Sequence, residues 1–212
     1  METTIYLIRH SLKFDSHLIE KYNTIENNIK RSEKIVLSVE GEKRAQKLSE
    51  LSELKNLDLV YTSNCVRTLQ TAKYIIENQN LKVIIDERLD EKQVGKSNDD
   101  KYPNWFTLQY LDENFKTEGG ESQKDVRKRF SSCFNEILSK NKGKRIAIFS
   151  HGYAITFFLM SLTKLEEVTE DRKYRFSFKD KVFFNKKLDA PEIFKLVFDK
   201  NNNLESIFNI TI

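Results

Sequence analysis

The sequence predicts an α/β protein: three layers, α/β/α, with a mostly parallel central sheet and a β-rich C-terminal edge. Three observations carry this expectation. Short apolar runs alternate with helical segments through the first three-quarters of the chain. Two of those runs end in a histidine, Ile5-Tyr6-Leu7-Ile8 before Arg9-His10-Ser11 and Ile146-Ala147-Ile148-Phe149 before Ser150-His151-Gly152. Beyond Lys173 the pattern changes to aromatic and charged residues in alternation, as exposed strands require.

Thr4 to Ile8 is β-rich and reads as a buried first strand. Phe14 to Glu33 is charged and weakly periodic, and reads as loop with some helix. Ser38 is placed to cap a helix running to about Leu54, with Ala45, Leu48, Leu51 and Leu54 on its apolar face. Leu57 to Tyr61 is a second strand, followed by a helix from Val66 to Asn78 and a third strand from Leu81 to Ile85. Asp86 to Thr117 is long and aperiodic. Such segments in compact domains are usually lids or binding loops. Its aromatics, Tyr102, Trp105, Phe106 and Tyr110, fit either a substrate mouth or a packed loop base. Gly119-Gly120 marks a turn, and Ser122 with Asp125 resembles a capping box for a helix to about Ser139. Arg145 to Phe149 is a fourth strand, and Tyr153 to Leu162 a buried helix in which Phe157, Phe158 and Leu159 are core. Lys173 to Phe184, Ile193 to Phe198 and Leu204 to Ile210 read as strands, the last two joined by a turn at Lys200 to Asn203. With no repeat and no linker-like stretch, residues 1–212 are expected to form one domain.

Composition narrows the function classes. Of the 212 residues, 39% are hydrophobic and 32% charged, an ordinary globular balance. A net charge of +4, with Lys and Glu interspersed, is too weak to indicate a nucleic-acid partner. The two cysteines, Cys65 and Cys133, stand in no metal-binding spacing and read as reduced thiols; no metal and no cofactor are expected. With no leader-like start and no membrane-length apolar run, the expected location is cytoplasmic, without membrane association.

The chemistry concentrates at strand ends, where ligands of open α/β sheets bind. His10, Ser63 and His151 all fall there, Arg9 adjoins His10, and Arg67 lies in the first turn of the helix after Ser63. Two histidines and two arginines at one sheet edge make an anion pocket, and guanidinium suits phosphate because it donates paired hydrogen bonds. An imidazole can act there as a nucleophile if it is neutral, with one nitrogen free and the other donating to a fixed acceptor. The flanking arginines disfavour its protonation and offset charge on a transferring phosphoryl group. A proton donor is then needed for the leaving oxygen. Glu91 is the candidate, in competition with Asp86, Glu87 and Asp90. His17 and the pair Lys128-Arg129 read as exposed, the pair on a solvated helix face.

Taken together, these motifs resemble the histidine phosphatase superfamily, which includes the cofactor-dependent phosphoglycerate mutases. Arg9-His10-Ser11 resembles its Arg-His-Gly, with serine for glycine. Leu37-Ser38-Val39-Glu40-Gly41 resembles its Leu-Thr-x-x-Gly. Ser63, Arg67, Gln70, Thr71 and Ala72 match its Ser-x-x-x-Arg-x-x-Gln-Thr-Ala. Arg88, Leu89 and Glu91, then Gly120-Glu121-Ser122, then Ser150-His151-Gly152 follow in the family's order. The resemblance implies a phosphoglycerate mutase-like fold and a metal-independent phosphomonoester hydrolase. In that reading His10 carries a phosphohistidine, Arg9, Arg67 and His151 hold the phosphoryl group, Ser11 adds a hydroxyl donor, and Glu91 is the general acid and base. The alternatives are a phosphoglycerate mutase-type phosphotransferase and, because Ser11 replaces the glycine, a non-catalytic phosphate-binding module. The expected partner is a phosphorylated small molecule or phosphoprotein, with Lys13, Lys21, Lys30, Arg31 and the loop from Glu91 to Thr117 as recognition candidates; a homodimer through a C-terminal edge strand is possible.

Overall fold

In the computed structural model, residues 1–14, 32–96 and 102–211 are described. The expectations for His17, Lys21, Lys30 and Arg31, and for most of the Phe14 to Glu33 segment, fall outside these residues.

A six-stranded sheet forms the middle layer. Strand β1 (Thr3–Arg9) pairs in parallel with β4 (Arg145–Ser150), β4 with β2 (Leu59–Thr62), and β2 with β3 (Val83–Ile85). On the other side β1 pairs antiparallel with β8 (Glu192–Phe198), which pairs antiparallel with β9 (Leu204–Ile210). The order is therefore β3-β2-β4-β1-β8-β9, a parallel half carrying a C-terminal antiparallel edge. Ile5, Tyr6, Leu7 and Ile8 are all fully buried, because β1 is covered on both faces; hence the unbroken apolar run rather than an alternating one.

Helices cover both faces. Residues of α1 (Val39–Leu48) and α2 (Val66–Gln79), notably Leu48, Ala72 and Ile75, pack with Tyr6 and Ile8 on one side. On the other, α4 (Gln123–Lys140) and α5 (Gly152–Leu159) bring Phe130, Phe134, Phe157 and Phe158 against Ile5 and Leu7; the intervening α3 (Trp105–Leu111) also lies on this side. Both predicted caps form. The Ser38 hydroxyl accepts the Gly41 N–H, and Ser122 and Asp125 make a reciprocal capping box.

Four features differ from expectation. The first helix stops at Leu48, and Leu54 belongs to a separate short turn of 3₁₀ helix. Helix α3 lies inside the aperiodic segment; at seven residues it is too short to show a period. The run Lys173 to Phe184 is two strands, β6 (Lys173–Phe178) and β7 (Lys181–Lys187), because Lys179 and Asp180 both adopt left-handed backbone and close a tight hairpin. A further strand, β5 (Lys164–Val168), joins them in a separate three-stranded sheet. Its sequence, Lys-Leu-Glu-Glu-Val, carries too little apolar signal to announce a strand. Among the described residues, no helix is long and apolar enough to cross a membrane.

Candidate active site

Strand register explains why two histidines 141 positions apart become neighbours. In the parallel β1–β4 pair, Arg9 lies opposite Ser150, so the next residues, His10 and His151, leave the sheet side by side. The His10 N–H donates to the Ser150 carbonyl at 2.9 Å, and the two rings meet edge-on with centroids 5.2 Å apart. Strand β2 adds Ser63, whose N–H donates to the Phe149 carbonyl, and α2 begins three residues later and delivers Arg67.

The proton positions of both imidazoles follow from their partners. His10 Nδ1 lies 2.7 Å from the Ser11 carbonyl, which can only accept, so Nδ1 carries the hydrogen and Nε2 is the basic atom. His10 Nε2 has no hydrogen-bond partner among the described residues. His151 shows the opposite tautomer. Its Nδ1 accepts from Arg67 Nη2 at 2.9 Å, and its Nε2 donates to the Ser63 hydroxyl at 2.7 Å. Burial holds both imidazoles well below the usual histidine pKa, reinforced by Arg67 and Arg9 for His10, and by Arg67 and His10 for His151. Both are neutral at physiological pH.

The arginines are fixed at one end and unsatisfied at the other. Arg9 Nη1 donates to the carbonyls of Leu188 and Asp189, just beyond β7, and Arg67 Nη1 donates to the Ser32 carbonyl. Among the described residues the Nε of each is buried without a partner. Buried guanidinium donors are rarely left unpaired, so this pair is suited to receive an oxyanion. Both residues, with His10 and Glu91, line one cavity of about 670 Å³. His151, expected among the phosphate ligands, is fully buried and already uses both ring nitrogens on Ser63 and Arg67.

Ser11 also differs from expectation. Its hydroxyl donates to the Gly41 carbonyl at 2.8 Å and its N–H to the Thr71 hydroxyl at 2.9 Å. Its backbone is not in the left-handed region, so serine sits here without strain. The hydroxyl anticipated as a phosphate donor thus braces the loop from beneath. The same loop explains Gly41: a Cβ there would come 1.9 Å from the Leu12 carbonyl oxygen, which accepts the Ser38 N–H. Gln70 closes the arrangement by accepting the Leu37 N–H at 2.7 Å. The spaced Ser, Gly, Gln and Thr residues are therefore a scaffold for the turn that presents His10.

Glu91 follows a short 3₁₀ turn, Glu87–Leu89, tied to β4 by the Ser150 hydroxyl donating to the Leu89 carbonyl at 2.7 Å. The Glu91 carboxylate accepts the N–H groups of Lys92 and Ala154 at 2.9 and 3.1 Å, and it acts electrostatically on Arg9 and Lys13. Its three competitors are placed differently, although Asp90 lines the same cavity. Asp86 is held by Arg88 at 2.6 Å, Glu87 is exposed, and Asp90 accepts the Asn64 N–H at 2.7 Å.

One contributor was misread in the sequence. Arg129, read as a solvated helix residue, pairs with Glu121 at 2.8 Å and donates to the carbonyls of Arg88, Asp90 and Glu91, clamping the segment that carries Glu91. The only available signal was Glu121 eight residues earlier, a separation with no helical meaning. Phe106 and Tyr110 resolve the open question about the aromatics: both are buried, Phe106 also lines the cavity, and Tyr110 hydrogen-bonds Thr156 and Tyr174 within the core.

Cys65 and Cys133 are both unpaired and buried. Folding brings ligand atoms of Cys65, Asp90 and His151 within 4.8 Å of one another, a grouping sequence spacing did not show. With both His151 nitrogens and one Asp90 oxygen already hydrogen-bonded, the trio does not fit a resident metal.

Residues 5–175 match the histidine phosphatase superfamily (branch 1), and the chain belongs to that family. It is similar to phosphoserine phosphatase 1 of Hydrogenobacter thermophilus, 32% identical over 124 residues, covering 54% of this chain and 58% of that protein. It is also similar to a probable phosphoglycerate mutase GpmB of an Enterobacter species, 26% identical over 176 residues, 79% of this chain and 78% of the other. Among solved structures, a mycobacterial hydrolase superposes with a TM-score of 0.73 at 18% identity, covering 100% of both chains. A mycobacterial glucosyl-3-phosphoglycerate phosphatase in complex with inorganic phosphate gives 0.70 at 18%, over 98% of this chain and 97% of the other. The fold is the histidine phosphatase fold, and the family is of the phosphatase type.

Proposed function

We propose that this protein is a metal-independent phosphomonoester hydrolase working through a phosphohistidine on His10. One observation carries the reading: His10 is neutral, with Nδ1 tied to the Ser11 carbonyl and, among the described residues, Nε2 free, beside two guanidinium groups whose buried Nε donors have no partner there. In the first half, Nε2 attacks phosphorus, the bond to the leaving alcohol oxygen breaks, and Glu91 gives that oxygen a proton. Arg9 and Arg67 offset the charge on the phosphoryl oxygens. His151 is a positioning residue: its Nδ1 holds Arg67, and Ser63 holds its ring. In the second half Glu91 takes a proton from water, the water attacks phosphorus, the N–P bond breaks, and inorganic phosphate leaves.

The likeness to probable phosphoglycerate mutases favours a second reading, in which another hydroxyl replaces water in the second half. After Ser11 the chain reads Leu12-Lys13-Phe14-Asp15 in place of the Glu-Thr-x-x-Asn frequent in the family, which supports hydrolysis. The third reading, a non-catalytic phosphate-binding module, loses its motive once Ser11 fits the turn without strain. The test is hydrolysis of an aryl phosphate in the presence of a metal chelator. Wild type is expected to turn over, and His10→Ala to lose activity at least a thousandfold. Dependence on an added metal, or on a bisphosphorylated primer, contradicts the proposal.

A further inference from the structure

Lys92 is the buried charge that this chemistry does not use. It is 3% exposed, yet it lines the same cavity as His10 and Glu91. Among the described residues its ammonium makes one hydrogen bond, donated to Gln109 Oε1 at 2.6 Å, and otherwise faces the rings of Trp105 at 5.8 Å and Tyr153 at 5.9 Å. Among the described residues, no carboxylate forms an ion pair with it. Glu91, next in the chain, spends its oxygens on the backbone N–H groups of Lys92 itself and of α5, and Glu121 is paired with Arg129. A lysine has three donors, and a buried cation without a counter-charge is costly. Burial indeed pushes this one down to about 8, against the pull of Glu91 and Glu121, so it remains mostly charged at neutral pH.

Arg9 and Arg67 already serve the phosphoryl group. A third buried cation in the same cavity, held by a neutral amide, has no role in binding one phosphate. We infer that Lys92 recognises a second anionic group, a carboxylate or a second phosphate, carried on the alcohol part of the ester. This rests on the phosphatase reading above and narrows its substrate class to doubly anionic phosphate esters.

The test compares three substrates of similar length: propyl phosphate, phosphorylated hydroxypropionate and propanediol bisphosphate. Wild type is expected to favour at least one anionic ester over propyl phosphate by about tenfold or more in kcat/KM, as a charge-assisted hydrogen bond supplies. Which of the two it favours identifies the anion. Lys92→Met and Lys92→Gln are expected to erase that preference while propyl phosphate hydrolysis stays within a few-fold. No preference in wild type, or a preference unchanged in both variants, overturns the inference. Trp105, the only tryptophan in the chain, lies close enough to Lys92 for its fluorescence to report binding directly. In His10→Ala, tighter binding of an anionic ester than of propyl phosphate is expected, and equal binding overturns the inference. Absence of all hydrolysis with the binding preference intact would instead refute the phosphatase reading and leave the Lys92 site standing.

Discussion

Asp90→Asn separates the two adjacent carboxylates of the site by stability and by activity together. Asp90 is half-buried, and among the described residues it forms no ion pair. Burial pushes its carboxyl from 3.8 up to about 6, opposed by the Asn64 N–H and by Arg129. A difference of about two pKa units corresponds to ~3 kcal/mol against the charged form, which partial solvent access reduces to roughly 1–2 kcal/mol. The sign follows from proton uptake. Between 3.8 and about 6 the folded protein binds more protons than the unfolded chain, so this group's contribution is fully present near pH 4 and lost as pH rises through 6. Asparagine keeps the oxygen that accepts the Asn64 N–H and carries no charge to bury. The variant is therefore expected to match wild type near pH 4 and to exceed it by roughly 1–2 kcal/mol above pH 7, read by urea unfolding across that range. Its kcat on an aryl phosphate is expected to stay within a few-fold, as the proposal of Glu91 as proton donor requires. A variant less stable at neutral pH, or a gap that does not close toward pH 4, refutes the electrostatic argument. A hundredfold loss of kcat in Asp90→Asn, with Glu91→Gln retaining activity, refutes the assignment of the acid.

Two other substitutions probe the scaffold. Gly41→Ala places a methyl 1.9 Å from the Leu12 carbonyl oxygen, a backbone contact with no flexible side chain to yield. It is expected to cost about 3 kcal/mol or more and to displace the His10 turn, lowering both unfolding midpoint and turnover; a variant as stable as wild type contradicts the packing described. Arg129→Met removes the clamp on the Glu91 segment. It is expected to lower kcat about tenfold or more with KM little changed, and Arg129→Lys to restore part of the loss; a KM effect with kcat unchanged contradicts a positioning role.

The parallel half of the fold was legible because its strands are buried on both faces and so appear as short apolar runs with chemistry at their ends. His10, His151, Arg67 and Glu91 could be named for that reason: each stands just past such a run, and β-strand register converts that position into proximity. What could not be read depends on contacts across the sheet. Ser11 looked like a phosphate donor until the carbonyl of Gly41, thirty residues away, was seen beneath it. Arg129 looked solvated because the carbonyls it holds lie some forty residues earlier. The anchoring of Arg9 by Leu188 and Asp189 joins opposite ends of the chain. Strand β5 was invisible because three of its five residues are charged. Lys92 offered no sequence signal, since burial of a lysine is decided by the neighbours that fold over it.

The central claim is that His10 Nε2 accepts the phosphoryl group. The direct measurement is to quench the enzyme during turnover of a phosphate-labelled ester and to map the protein-bound label. The account predicts an acid-labile, base-stable label on the peptide containing His10, absent in His10→Ala and accumulating in Glu91→Gln when the leaving group needs no proton. Turnover in wild type with no trapped label, or a label on any other residue, would contradict it.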